Sequence, residues 1–187
     1  MKTMKFFTEK WYMKFYGSSP YALMDNKPLY DELMLSYRIA KDELYPEFLK
    51  LPRTSEYKKY NFHDARVKNM ELISGNLVMH MDTSLCYCSV DRLTFTNVVF
   101  KDVPGDYLNK SNLDWFQSEE TFEDGRYQIG ILFRDDSCPL PYPKNDATSG
   151  EGVKLGIANT DFPAPYIMEF SAEDIIVEES IPATHKK

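Results

Sequence analysis

The spacing of apolar residues changes near residue 60. Before that point they recur every three or four positions, as on a helix lying against a core. Beyond it they alternate with polar residues in short runs, as in half-buried strands. The change is sharpest in FHDARVKNMELISGNLVMHMD, residues 62–82, which reads as two strands (65–73 and 77–82) meeting at Ser74-Gly75-Asn76. In the second of these, Leu77, Met79 and Met81 point one way and Val78, His80 and Asp82 the other.

The N-terminal part predicts two helices. Thr8 suits an N-cap and Gly17 a stop, with Trp11, Tyr12 and Phe15 on one face between them. So short a helix cannot stand alone in water and needs a surface to dock on. Pro28 then suits the first turn of a longer helix, with Asp31 and Glu32 near the positive end of its dipole. Leu29, Leu33, Tyr37, Ala40 and Leu44 form its apolar stripe, with Tyr30 and Met34 at the edge. Pro46 and Pro52 punctuate its end, so the helix is expected over 28–45, with one further turn at 47–51. The stretch RTSEYKKY, residues 53–60, is polar and basic and reads as a hinge.

Strands follow at 92–100 and 126–134, the latter with Tyr127, Ile129, Ile131 and Phe133 on one face. Residues 107–116 fit a short helix or a loop. Glu119 to Gly125 reads as a solvated acidic turn, and 137–152, with its prolines and glycines, as a long loop. Late strands are expected at 153–158, 166–171 and 174–178, and the short connections favour antiparallel pairing. The expected fold class is therefore α+β: N-terminal helices (residues 1–58) packed on a mainly antiparallel β-sheet domain (59–187), forming one cooperative unit.

Composition narrows the function classes. Residues 1–60 hold 11 Lys and Arg against 8 Asp and Glu, whereas residues 61–187 hold 11 against 21, a balance of −10. Such a part repels phosphate backbones, so no nucleic acid is expected as a partner, while another protein with a basic surface would be attracted. No apolar stretch approaches a membrane span, and no secretory pattern opens the chain, so a cytoplasmic location without membrane contact is expected. The cysteines, Cys86, Cys88 and Cys138, form no disulfide framework.

Candidate chemistry is sparse. His63-Asp64 is an adjacent pair of the kind used in one phosphohydrolase metal site, but the further His and Asp residues that site requires are missing. Asp64 capping a turn while His63 packs locally is the simpler reading. Cys86, Cys88 and His80 supply too few ligands for a structural zinc, so no metal is expected. A nucleophilic Cys88 would need a base such as His80. No phosphate loop, GxSxG or HExxH motif is present, and no cofactor is expected.

The opening Met4-Lys5-Phe6-Phe7-Thr8-Glu9-Lys10-Trp11-Tyr12 resembles the start of the DUF4085 family of uncharacterised bacterial, mostly Firmicutes, proteins, although Glu9-Lys10 stands where Lys-Glu would be expected. The stretch Phe62-His63-Asp64-Ala65-Arg66-Val67 resembles the opening of that family's β-rich half, and similar β modules occur among immunity-type proteins of bacterial toxin systems. The resemblance implies a helical first half and a β-rich second half but no activity. The expected function is a non-catalytic protein-binding or accessory module. The alternative is a small-ligand-binding protein or enzyme with a pocket between helices and sheet, where His63, Asp64, His80 and Cys88 are the candidate residues.

Overall fold

A computed structural model describes residues 4–8, 11–12, 27–52, 56–86, 88–101, 107–135 and 165–180. The architecture is mainly sheet with one long helix. Helix α1 (Lys27–Lys50) precedes eight strands: β1 (Ala65–Ile73), β2 (Asn76–Asp82), β3 (Val90–Phe95), β4 (Val99–Phe100), β5 (Leu113–Glu123), β6 (Arg126–Asp135), β7 (Tyr166–Ala172) and β8 (Ile175–Glu179). All pairings are antiparallel, in the order β4-β7-β6-β5-β1-β2-β3-β8.

The sheet closes on itself. β3 runs into β4 through Thr96-Asn97-Val98, and β7 runs into β8 through Glu173-Asp174, so each pair is one bent strand. The two bent strands pair with each other on both sides of the corner: β3 with β8, β4 with β7. At the corner Thr96 N–H donates to Asp174 O (3.0 Å) and Glu173 N–H to Thr96 O (2.9 Å). Asn97 adopts the left-handed conformation there (φ 47°) that lets the chain turn. The result is a barrel, which leaves few open strand edges.

The expected hairpin is found, with Ser74 and Gly75 both at positive φ (51° and 82°), as a two-residue turn matching strand twist requires. Asp124-Gly125 (53° and 76°) builds a second such turn between β5 and β6. Leu77, Met79 and Met81 are buried, as are Tyr127, Ile129, Ile131 and Phe133. They meet Phe95, Phe170 and Trp115 inside the barrel.

Several expectations need correction. The strand expected at 92–100 is two strands that pair with different partners, because the turn at Asn97 interrupts it. Helix α1 does not stop before Pro46 but contains it. An interior proline costs roughly 3 kcal/mol. The last turn is held nonetheless because Phe48 packs on the barrel core and Leu51 is fully buried. The hinge expected at 53–60 contains a 3-10 turn, Glu56–Lys59, whose Tyr57 is buried between Phe62 and Phe95. Residues 113–116, which fit a short helix or a loop, and 119–123, read as part of an acidic turn, belong to the long strand β5. The N-terminal helices reduce to one described long helix. Of the other, Thr8 and the turn at Trp11-Tyr12 are described, with Tyr12 N–H donating to Thr8 O (2.9 Å) and Trp11 N–H to Thr8 Oγ1 (3.3 Å). Phe15, Cys138, the loop 137–152 and the strand expected at 153–158 lie outside the described residues.

The outer face of β5, β6 and β7 is covered by the N-terminal segment and α1. Met4, Phe7, Tyr12, Ala40, Phe116 and Leu132 form this second core. At its centre lies a row of cross-strand neighbours, Glu119 in β5, Gly130 in β6 and Glu169 in β7. Glu119 accepts the N–H groups of Lys5 (2.7 Å), Phe6 (2.7 Å) and Phe7 (2.8 Å), and Glu169 accepts that of Met4 (2.7 Å). Met4 fills the space above Gly130, where a Cβ would stand 2.4 Å from its Sδ. The carboxylates thus satisfy four backbone donors that would otherwise be buried without partners.

Candidate functional site

β1 and β5 pair only over Ala65–Val67 and Leu113–Trp115, and then diverge. The gap between the second half of β5 and the chain entering β1 is bridged by the 3-10 turn and by the end of α1. A cleft of about 360 Å³ remains there, lined by Lys41 and Phe48 of α1, Tyr57–His63, and Trp115–Ser118 with Glu120 of β5. A recess of about 170 Å³ adjoins it under α1, sharing Lys41, Phe48, Ser118 and Glu120. Clefts at barrel mouths with an aromatic wall and a few converging polar groups are common ligand sites.

A bulge sets what β5 presents here. The register shifts between Trp115 and Gln117, with Phe116 as the extra residue. Trp115 faces the barrel interior, while Phe116 and Glu119 face the outer core. After the bulge, Ser118, Glu120 and Phe122 return to the inner face. A carboxyl is thereby turned inward, where Tyr57 Oη donates to Glu120 Oε1 at 2.9 Å. Burial pushes the Glu120 carboxyl above its ordinary value, against the pull of hydrogen bonds from Ser118 and Tyr57 and of the Lys41 charge. Burial, and then the neighbouring Glu120, push the Tyr57 phenol well above 10.

Lys41 reaches the cleft from α1. Its Nζ donates to Gln117 Oε1 (3.3 Å) and lies 5.5 Å and 5.6 Å from the ring centres of Phe7 and Tyr37. Lys58 donates to the Leu51 carbonyl and covers Phe48 at 5.5 Å. His63 closes the far end: its Nδ1 donates to the Phe116 carbonyl, with the Gln117 Nε2 nitrogen 3.5 Å away, and its ring packs 5.2 Å from that of Phe116.

The residues singled out from sequence are divided by the fold. His63 lines the cleft, and Asp64 follows it in a left-handed turn (φ 67°), its Oδ2 3.7 Å from His63 Nε2. Cys86 and Cys88 lie behind this turn, Cys86 Sγ donating to the His63 carbonyl (3.3 Å) and Cys88 Sγ to the Asn61 carbonyl (3.9 Å). His80 sits in the middle of β2 between Asn69 and Arg92, 3.8 Å from Glu71 Oε1. Burial, then Cys88 and Asp64, push the Cys86 thiol up to about 11, and burial raises that of Cys88 as well. Both are therefore protonated at neutral pH and poor nucleophiles. Among the described residues no group of three His, Cys, Asp or Glu side chains is placed to hold a metal ion.

Sequence reasoning missed Lys41, Tyr57, Gln117, Ser118 and Glu120. The signal was Asp124-Gly125: a two-residue hairpin turn there fixes the faces by counting backwards, placing Phe122, Glu120 and Ser118 together. No family model, curated protein or solved structure matches the chain.

The Glu120 carboxyl carries a pH prediction. With its folded-state value raised, the folded chain holds a proton that the unfolded chain has lost in the window above about 4.5. Stability from this group is present below that window and is lost as pH rises through the folded value. Glu120→Gln keeps the oxygen that accepts from Tyr57 and removes the titration. Its stability, from urea unfolding, should exceed that of the parent at pH 8 and converge with it near pH 4.5. An unchanged difference across that range refutes the assignment.

Proposed function

We propose that this protein is a small-ligand-binding protein whose site is the cleft between α1, the 3-10 turn and β5. The observation that carries this reading is the Tyr57–Glu120 pair, in which a buried phenol donates to a half-buried carboxyl at the cleft. A carboxyl turned into an apolar barrel mouth costs stability, and such a group persists where a ligand uses it. The surrounding Lys41, Gln117, Asn61 and His63 offer hydrogen-bonding groups of several kinds, and Tyr60, Phe62 and Trp115 supply an aromatic wall.

A fragment library screened by ¹H–¹⁵N chemical shifts tests the reading. Hits should move the amides of Tyr57–His63 and Trp115–Glu120, and Ser118→Tyr, which fills the cleft from its β5 wall, should abolish them. Hits that map elsewhere, or that survive this substitution, sink the proposal.

A second reading is recognition of a protein with a basic surface. It draws on Leu35, Ile39, Tyr45 and Leu49, which α1 leaves exposed, and on the −10 balance of residues 61–187. No helix of the described residues is long and apolar enough to cross a membrane.

A further inference from the structure

We propose that the cleft takes a small organic anion, a carboxylate or phosphate ester with a flat apolar body, its charged end at Lys41 and its body along Tyr60 and Phe62. This rests on the reading of the cleft as a ligand site and adds the class of ligand. Among the described residues that line the cleft, Lys41 and Lys58 approach from α1 and the 3-10 turn, and Glu120 is the acidic one. A cation positioned in a cleft draws anions in and repels other cations.

The placement of Lys41 is specific. Its described hydrogen-bond partner is the neutral Gln117 amide, and the rings of Phe7 and Tyr37 flank the ammonium, so its charge is positioned without being cancelled by an ion pair among the described residues. A lysine in this setting is a ready counter-ion for a carboxylate or phosphate. Deeper in, the Glu120 carboxyl and the Ser118 hydroxyl line the cleft and offer oxygens to a hydroxyl or N–H group of the ligand. A volume of about 360 Å³ accommodates a single ring with its substituents.

Four probes that share one ring decide the matter: benzoate, phenyl phosphate, benzyl alcohol and benzylamine, each titrated into the full chain at fixed ionic strength and followed by ¹H–¹⁵N shifts. Benzoate or phenyl phosphate should saturate the amides of Lys58–His63 and Trp115–Glu120, and benzylamine should bind at least tenfold more weakly. Lys41→Met, which keeps the side-chain length and loses the charge, should weaken anion binding by about tenfold while leaving the dispersed spectrum of the folded chain intact. If benzyl alcohol or benzylamine binds the cleft as well as the anions do, or if Lys41→Met binds them undiminished, the anion assignment is overturned and the cleft remains a ligand site. If none of the four moves these amides, the anion assignment falls together with the reading on which it rests.

Discussion

Glu119→Ala is expected to release the N-terminal segment from the barrel and to cost about 3 to 5 kcal/mol of stability. One carboxylate accepts three successive backbone N–H groups, those of Lys5, Phe6 and Phe7, at 2.7 to 2.8 Å. Hydrogen bonds to a charged group contribute about 1.5 to 3 kcal/mol each, and a buried donor left without a partner costs about 1 to 3 kcal/mol. The loss is bounded, because the segment can undock and hydrate its amides. It then gives up the burial of Met4, Phe7 and Tyr12, all less than 5 % exposed, at about 1.5 to 3 kcal/mol for each large apolar side chain. Two measurements separate undocking from general loosening. The Lys5, Phe6 and Phe7 amides should lose their protection from hydrogen exchange, while those of β2 and β3 keep theirs. Glu119→Gln should lie between the parent and the alanine variant, since its amide turns an N–H₂ towards donors. Retained protection of these three amides in the alanine variant would overturn the assignment.

These glutamates also show where sequence reasoning reaches its limit. Strands β2 and β6 are legible because their inner faces are uniformly apolar: Leu77, Met79 and Met81, or Tyr127 through Phe133, keep strict alternation from end to end, and β1 follows from the Ser74-Gly75 turn that it shares with β2. β5 lacks this regularity. Phe116 inserts one residue, so the inner face passes from Trp115 to Ser118 rather than to Gln117, and the inner set then holds Ser118 and Glu120. On the outer face Glu119 occupies a core position, because what it meets is not water but the amides of a segment more than a hundred residues away in sequence. A pattern that counts carboxylates as exposed reads this strand as a loop, and the cleft residues disappear with it. The split between β3 and β4 escaped notice for a different reason. RLTFTNVVF is β-favouring throughout, and only the pairing of β7 and β8 with its two halves requires the turn at Asn97. His63 fell at the cleft because the 62–65 turn delivers the chain into β1 there. His80 did not, because β2 carries it to the middle of the barrel wall.

Trp115→Ala should be the second large loss, and it joins the barrel core to the cleft. The indole is 1 % exposed, stands 5.1 Å from the ring of Phe62 and 5.9 Å from that of Phe133, and forms the floor of the cleft. Truncating a buried Trp costs about 3 to 5 kcal/mol, made up of lost transfer energy and of the void left behind. For a chain of this size that corresponds to a fall in Tm of roughly 6 to 20 °C. The void has an unusual property: it opens into an existing cleft instead of being sealed, so a molecule shaped like the missing side chain can enter. Apolar cavities of about 150 Å³ bind benzene-sized guests. Millimolar indole should therefore recover part of the lost Tm in Trp115→Ala and leave the parent unchanged. Trp115→Phe should lose less, because a ring still packs against Phe62 and Phe133. A cost below about 1 kcal/mol for the alanine variant would mean that the wall between core and cleft collapses freely. Full cost without indole rescue would mean that the floor is closed off from the cleft. With both the loss and the rescue observed, the Trp115 ring is the partition on which the core and the binding site are both built.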